Sequence, residues 1–93
     1  MDPERRTGIL FSCSLNSYQD VEQQIKLGCD IHERDDFGVP AIIVAARKNN
    51  TRIVKLLIDA KVDPHTVSPA GETIAYWAHQ HNNHIMRKLI GLD

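Results

Sequence analysis

The run Asp35-Asp36-Phe37-Gly38-Val39-Pro40-Ala41-Ile42-Ile43-Val44-Ala45-Ala46-Arg47-Lys48-Asn49-Asn50 decides the fold, together with the Ile53-Val54-Lys55-Leu56-Leu57-Ile58 that follows it. It reads as a turn, a short apolar helix, a polar turn and a second helix. Ala41 to Ala46 is a compact apolar run closed by Arg47-Lys48-Asn49-Asn50. Ile53, Val54, Leu56, Leu57 and Ile58 then recur at helical spacing and leave Arg52, Lys55 and Asp59 to water. Asn50 or Thr51 is a suitable N-cap, because its side chain can accept from an orphan backbone N–H. Pro40 fixes its own φ and suits the first turn of the first helix.

Working outward, the same pattern returns. Gly38 and Gly71 lie 33 residues apart. At that offset Asp30 falls on Asp63, His32 on His65, Asn49 on Asn82 and Asn50 on Asn83, while Leu10 and Val21 fall on Ile43 and Val54. Three copies of one helix pair fill nearly the whole chain, in units of about 5–34, 35–67 and 68–93 that together make a single domain. Past Asn83 the third copy aligns best one residue short, which sets Ile85, Met86, Leu89 and Ile90 against Ile53, Val54, Leu57 and Ile58. Between the pairs, Asp30 to Gly38 and Asp63 to Gly71 collect Gly, Pro, Asp and Ser, the chemistry of turns.

These residues resemble an ankyrin repeat protein: a 33-residue unit of a β-turn and two helices with a T-P-L-H-x-A signature. Pro40-Ala41-Ile42-Ile43-Val44-Ala45-Ala46 is similar in outline, and the third copy keeps Gly71, Thr73 and Ala78. No copy carries the full T-P-L-H, so the family's usual Thr–His hydrogen bonds are missing. The resemblance implies an all-α fold, an ankyrin-repeat solenoid of three helix-turn-helix units joined by β-turn or hairpin loops. At one second-helix position the copies read Gln23, Leu56 and Lys88. Polar outer copies around an apolar middle one predict a complete, capped array.

Composition bounds the function. The chain has 93 residues, a formal charge of -1, 42% apolar and 25% charged residues. That describes an ordinary globular protein with no net basic field for nucleic acid or an anionic membrane. The charged start Met1-Asp2-Pro3-Glu4-Arg5-Arg6 predicts no secretory signal, and no apolar run reaches the length of a membrane span. Cys13 and Cys29, the two cysteines, read as small buried thiols in a reducing compartment, so the expected location is cytoplasmic or nuclear.

The resemblance further implies a non-enzymatic module that binds another protein through turn tips and the concave face of the first helices. On this sequence the first turn offers Arg34, Asp36, Phe37 and Val39, and the end of the next helix Arg47 and Lys48. The second turn offers Val67, Pro69, Ala70 and Glu72, and the third unit's first helix ends in Gln80 and His81. Phe37 is either an anchor at the tip or a ring folded back onto the neighbouring turn. Arg47 and Lys48 suit an acidic partner surface or simply complement the helix dipole. Tyr76 and Trp77 fall mainly in the core, the alternative being that one of them reaches the concave face.

Other chemistry is thinner. His79, His81 and His84 form an H-x-H-x-x-H cluster of metal-ligating type, but it straddles a helix break, so no metal and no cofactor are expected. A metal-responsive protein using these histidines, and a weak homo-oligomer pairing stack ends or concave faces, are the alternatives. His32 and His65 are expected to stabilise their turns through ring hydrogen bonds. No phosphate loop, H-E-x-x-H or paired-carboxylate motif occurs, and three thin repeats leave little room for a water-excluding reaction pocket.

Overall fold

A computed structural model describes residues 9–91. Six helices run in chain order: α1 (Ile9–Ser14), α2 (Tyr18–Lys26), α3 (Ala41–Arg47), α4 (Thr51–Asp59), α5 (Ile74–Gln80) and α6 (His84–Leu89). They form three antiparallel pairs that stack in two layers. The first helices pack α1 on α3 on α5, and the second helices α2 on α4 on α6. The body measures 41 × 25 × 20 Å. No described helix is long and apolar enough to cross a membrane.

The 33-residue period is written in the backbone. Asn16, Asn49 and Asn82 each take a left-handed conformation, with φ of 60°, 60° and 53°. Asn tolerates that region better than most side chains, and here it reverses the chain between the helices of each pair. The next residue in each copy is an N-cap. Ser17, Asn50 and Asn83 accept from the N–H groups of Asp20, Ile53 and Met86, at 3.4, 3.0 and 3.0 Å. Of the two N-caps considered for α4, Asn50 is the one used.

Those caps correct the third copy's register. Asn50 serves Ile53 and Asn83 serves Met86, so the offset stays at 33 past Asn83. Met86 and Ile90 take the buried places of Ile53 and Leu57, whereas Ile85 stands 65% exposed at Arg52's place in the period. The expected one-residue slip arose from matching hydrophobicity alone. Capping geometry overrides it, because a helix starts where its orphan N–H groups find an acceptor. The shared second-helix position therefore reads Gln23, Leu56 and Leu89, not Lys88, and Leu89 is half-buried against the core. Pro40 also shifts by one. It is the N-cap of α3, at φ −72° and ψ 156°, extended just before the first turn.

The loops before α3 and α5 are tight hairpin-like fingers. In the first, Arg34 and Pro40 form an antiparallel bridge, Asp35 N–H donates to Val39 O (3.0 Å) and Gly38 N–H to Asp35 O (2.9 Å). One oxygen of Asp35 accepts from both Phe37 and Val39 N–H. In the second, Ser68 stands where Asp35 did and its hydroxyl accepts from Glu72 N–H at 3.1 Å. The histidines act otherwise than expected. Main-chain N–H groups of His32 and His65 donate to Asp30 and Asp63, while the rings are exposed. The aspartates, not the imidazoles, stabilise these turns.

The core is aliphatic, with Ile9, Ile42, Ile43, Ile53, Leu57 and Ile74 fully enclosed. Cys13 is enclosed too, and Cys29 is half-buried with its thiol donating to Gln24 Oε1 at 2.8 Å; both are free. Asn side chains tie neighbouring copies along the inter-helix turns. Asn50 Nδ2 donates to Asn16, and Asn83 Nδ2 to Asn49 and to Thr51.

Candidate binding surface

The first helices and the first finger enclose an open-sided groove of about 460 Å³. Its floor comes from α1 and α3. Leu10 is half-buried, Val44 is nearly covered, and the Phe11 ring is 39% exposed. The finger contributes Glu33, Arg34, Asp35 and Asp36 as one wall. Ser14, Arg47 and Lys48, at the ends of α1 and α3, form the other. Helix periodicity explains the grouping: Phe11 and Ser14, like Val44 and Arg47, are three residues apart and share a face.

The charges differ in what they already hold. Glu33 Oε1 accepts from Leu10 N–H at 3.2 Å, tying the finger to α1. Arg34 Nη1 donates to Gly38 O at 2.9 Å. Arg47 Nη2 pairs with Glu72 at 2.8 Å, and its guanidinium lies 5.8 Å from the Trp77 ring centroid. His81 Nε2 lies 2.9 Å from Arg47 O; a carbonyl only accepts, so the imidazole donates. Its ring stacks on Trp77 at 5.7 Å, and Tyr76 meets Trp77 edge-on at 5.0 Å. Arg47 is thus the hub of the joint between the second and third pairs. Lys48 and Asp36 are exposed and hold no partner among the described residues.

The sequence-derived surface residues divide accordingly. Phe37 projects from the finger at 83% exposure and does not fold back. Arg34, Asp36, Lys48 and Gln80 are exposed. Val67, Pro69 and Ala70 are exposed at the second finger. Val39 is not on the surface: at 6% exposure it belongs to the core. The two N–H bonds to Asp35 turn the finger so that Phe37 points out and Val39 in. Glu72 and His81 are half-buried and bound to Arg47. Tyr76 departs from its expected core role at 46% exposure, whereas Trp77 is half-buried. The indole N–H of Trp77 is buried without an acceptor among the described residues, which costs about 1–3 kcal/mol.

Sequence reading missed Leu10, Phe11, Ser14 and Val44. The period carried the signal, since Phe11, Val44 and Trp77 occupy one position in successive copies. His79 and His84 are exposed while His81 turns to Arg47. Among the described residues no three His, Cys, Asp or Glu groups come together as metal ligands. Burial, then the charge of Glu33, pushes the Cys13 thiol up to about 12, which keeps it protonated and unreactive.

A family model for ankyrin repeats matches residues 9–93 in three copies. The chain belongs to the ankyrin repeat family, whose members are generally protein–protein interaction modules and typically not enzymes. No curated protein shows a significant match to the sequence.

Proposed function

We propose that the protein is a non-enzymatic adaptor or regulator that binds a partner protein through its finger tips and the concave face of its first helices. The observation that carries this reading is the groove beside the exposed Phe37. A rigid stack holds an aromatic tip, an apolar floor and free charges at fixed spacing, so little ordering entropy is lost on docking. Large exposed aromatic anchors are what interface hot spots are made from. The reading includes a cytoplasmic or nuclear location, in keeping with a free thiol at Cys13 inside the core and another at Cys29.

The test is affinity capture from an extract of the native cells, using the wild-type chain and a Phe11→Ala/Phe37→Ala double variant. Both side chains are partly or largely exposed, so helical circular dichroism should be kept. Loss of a specific captured protein by about tenfold or more supports the reading. Identical capture by wild type and variant rejects this face.

A further inference from the structure

Burial along the period shows which second-helix positions meet at each joint of the stack. Asp20, Ile53 and Met86 share one place in the period. It is exposed in the first pair and enclosed in the second and third, the two that have a preceding neighbour. That place therefore faces backwards. Val21, Val54 and Arg87 share the next place. It is enclosed in the first two pairs and only half-buried in the last, whose second helix packs on α4 alone. That place faces forwards. Within the array both places are apolar. At the two ends they carry opposite charges, Asp20 at the front and Arg87 at the rear. Neither side chain has a partner among the described residues. The surroundings agree in sign: α2 holds Asp20 and Glu22 against Lys26, whereas α5 and α6 hold Arg87 and Lys88 and no carboxylate. Tyr76, at Ile43's place, adds a 46% exposed ring to the rear face.

We infer that the rear of one molecule docks on the front of a second, continuing the stack head to tail with Arg87 against Asp20. The template is the protein's own joint, repeated between α2 and α4 and between α4 and α6. There Arg52 reaches back over the Tyr18 ring, 4.3 Å from its centroid, and Asn83 Nδ2 donates back to Thr51 Oγ1 at 2.6 Å. Gln19 and Ser17 hold the reaching places at the front end, and His84 holds the receiving place at the rear. Charge complementarity selects this register, because front-to-front or rear-to-rear pairing sets like charges together. A contact between two different faces does not close on itself, so assembly is open-ended and grows with concentration. Polar ends bury little apolar surface, which puts the contact in the weak class and makes it sensitive to salt. It uses the ends of the stack and not the groove, so it stands independently of the partner-binding reading.

The experiment is sedimentation equilibrium on the full chain at low salt, with concentrations rising to about 1 mM. The average mass should climb with concentration and fall back when salt is added. Asp20→Arg, at an exposed position, and Arg87→Asp should each weaken association by about tenfold or more, because each sets like charges face to face. Circular dichroism checks that both variants stay helical; if Arg87→Asp unfolds, Asp20→Arg carries the same prediction alone. Mixing the two folded variants should restore assembly, since every joint then pairs unlike charges again. A wild-type chain that stays monomeric at about 1 mM overturns the inference. So does association that Asp20→Arg leaves unchanged, which would put the contact on another face. A mixture of the two folded variants that remains monomeric overturns it as well.

Discussion

Helices α3 and α5 occupy the same place in the 33-residue period and meet different surroundings. α3 lies between α1 and α5, and every residue from Ala41 to Ala46 is buried. α5 packs on α3, and only Ile74 and Ala78 of its seven residues are buried. The counterpart of Ile43 is Tyr76, which is largely exposed, and that of Ala46 is His79, which faces solvent. Both helices obey the same local rules of length and turn chemistry. What separates them is the number of neighbours, and the side chains follow: aliphatic where two helices press, polar or amphipathic where one does.

The largest effect should come from hollowing the sandwiched helix. Ile43→Ala removes a fully enclosed side chain and should cost about 2–5 kcal/mol in chemical denaturation. Tyr76→Ala, at the matching place in α5, should cost less than about 1.5 kcal/mol. Equal losses would break the comparison. The fingers give a second contrast. Gly38 and Gly71 both hold φ near +80°, but a Cβ at Gly38 would sit 2.8 Å from Pro69 Cγ, whereas one at Gly71 meets nothing within 4 Å. Gly71→Ala should cost the backbone penalty of about 1–2 kcal/mol, and Gly38→Ala more, because the second finger must move aside. Thermal unfolding of the pair would show whether the fingers truly press on each other.

Smaller still is the difference between caps. Asn83→Ala loses the Met86 cap and two ties to the second copy, for about 1–2 kcal/mol. Ser17→Ala loses only a 3.4 Å cap bond and should cost about 0.5 kcal/mol. At neutral pH the last contrast vanishes altogether, because it is an alkaline pH dependence that belongs to the first copy. Burial raises the Cys13 thiol from 9.0 to about 12, so the folded state holds that proton more tightly than the unfolded chain. Its contribution is complete below pH 9 and is lost as pH climbs from 9 toward 12. Cys13→Ala, which installs the residue found at Ala46 in the second copy, should flatten that part of the stability profile. At neutral pH a thiol reagent should label Cys29 well before Cys13; equal rates would deny the burial.

Much of this was legible in the chain. The spacing of Gly38 and Gly71, the Asn-Asn turns and the apolar runs give the period, the helix pairs and the family. Phe37 could be picked out as an exposed aromatic in a turn. Val39, two residues on, could not be placed, because its direction depends on both N–H groups bonding one Asp35 oxygen. Arg47 read as a free cation, yet Glu72, 25 residues away, and His81, 34 away, hold it.

By itself the sequence determined the repeat, the helix pairs and the turns, since each is a signal spanning a few residues and recurring at a fixed distance. Tertiary structure alone decided which charges stay free, which faces are covered and where α1, α3 and the first finger enclose a groove. Those depend on contacts between copies roughly one period apart, and no local pattern of hydrophobicity or charge specifies the direction in which a side chain from one copy meets the next.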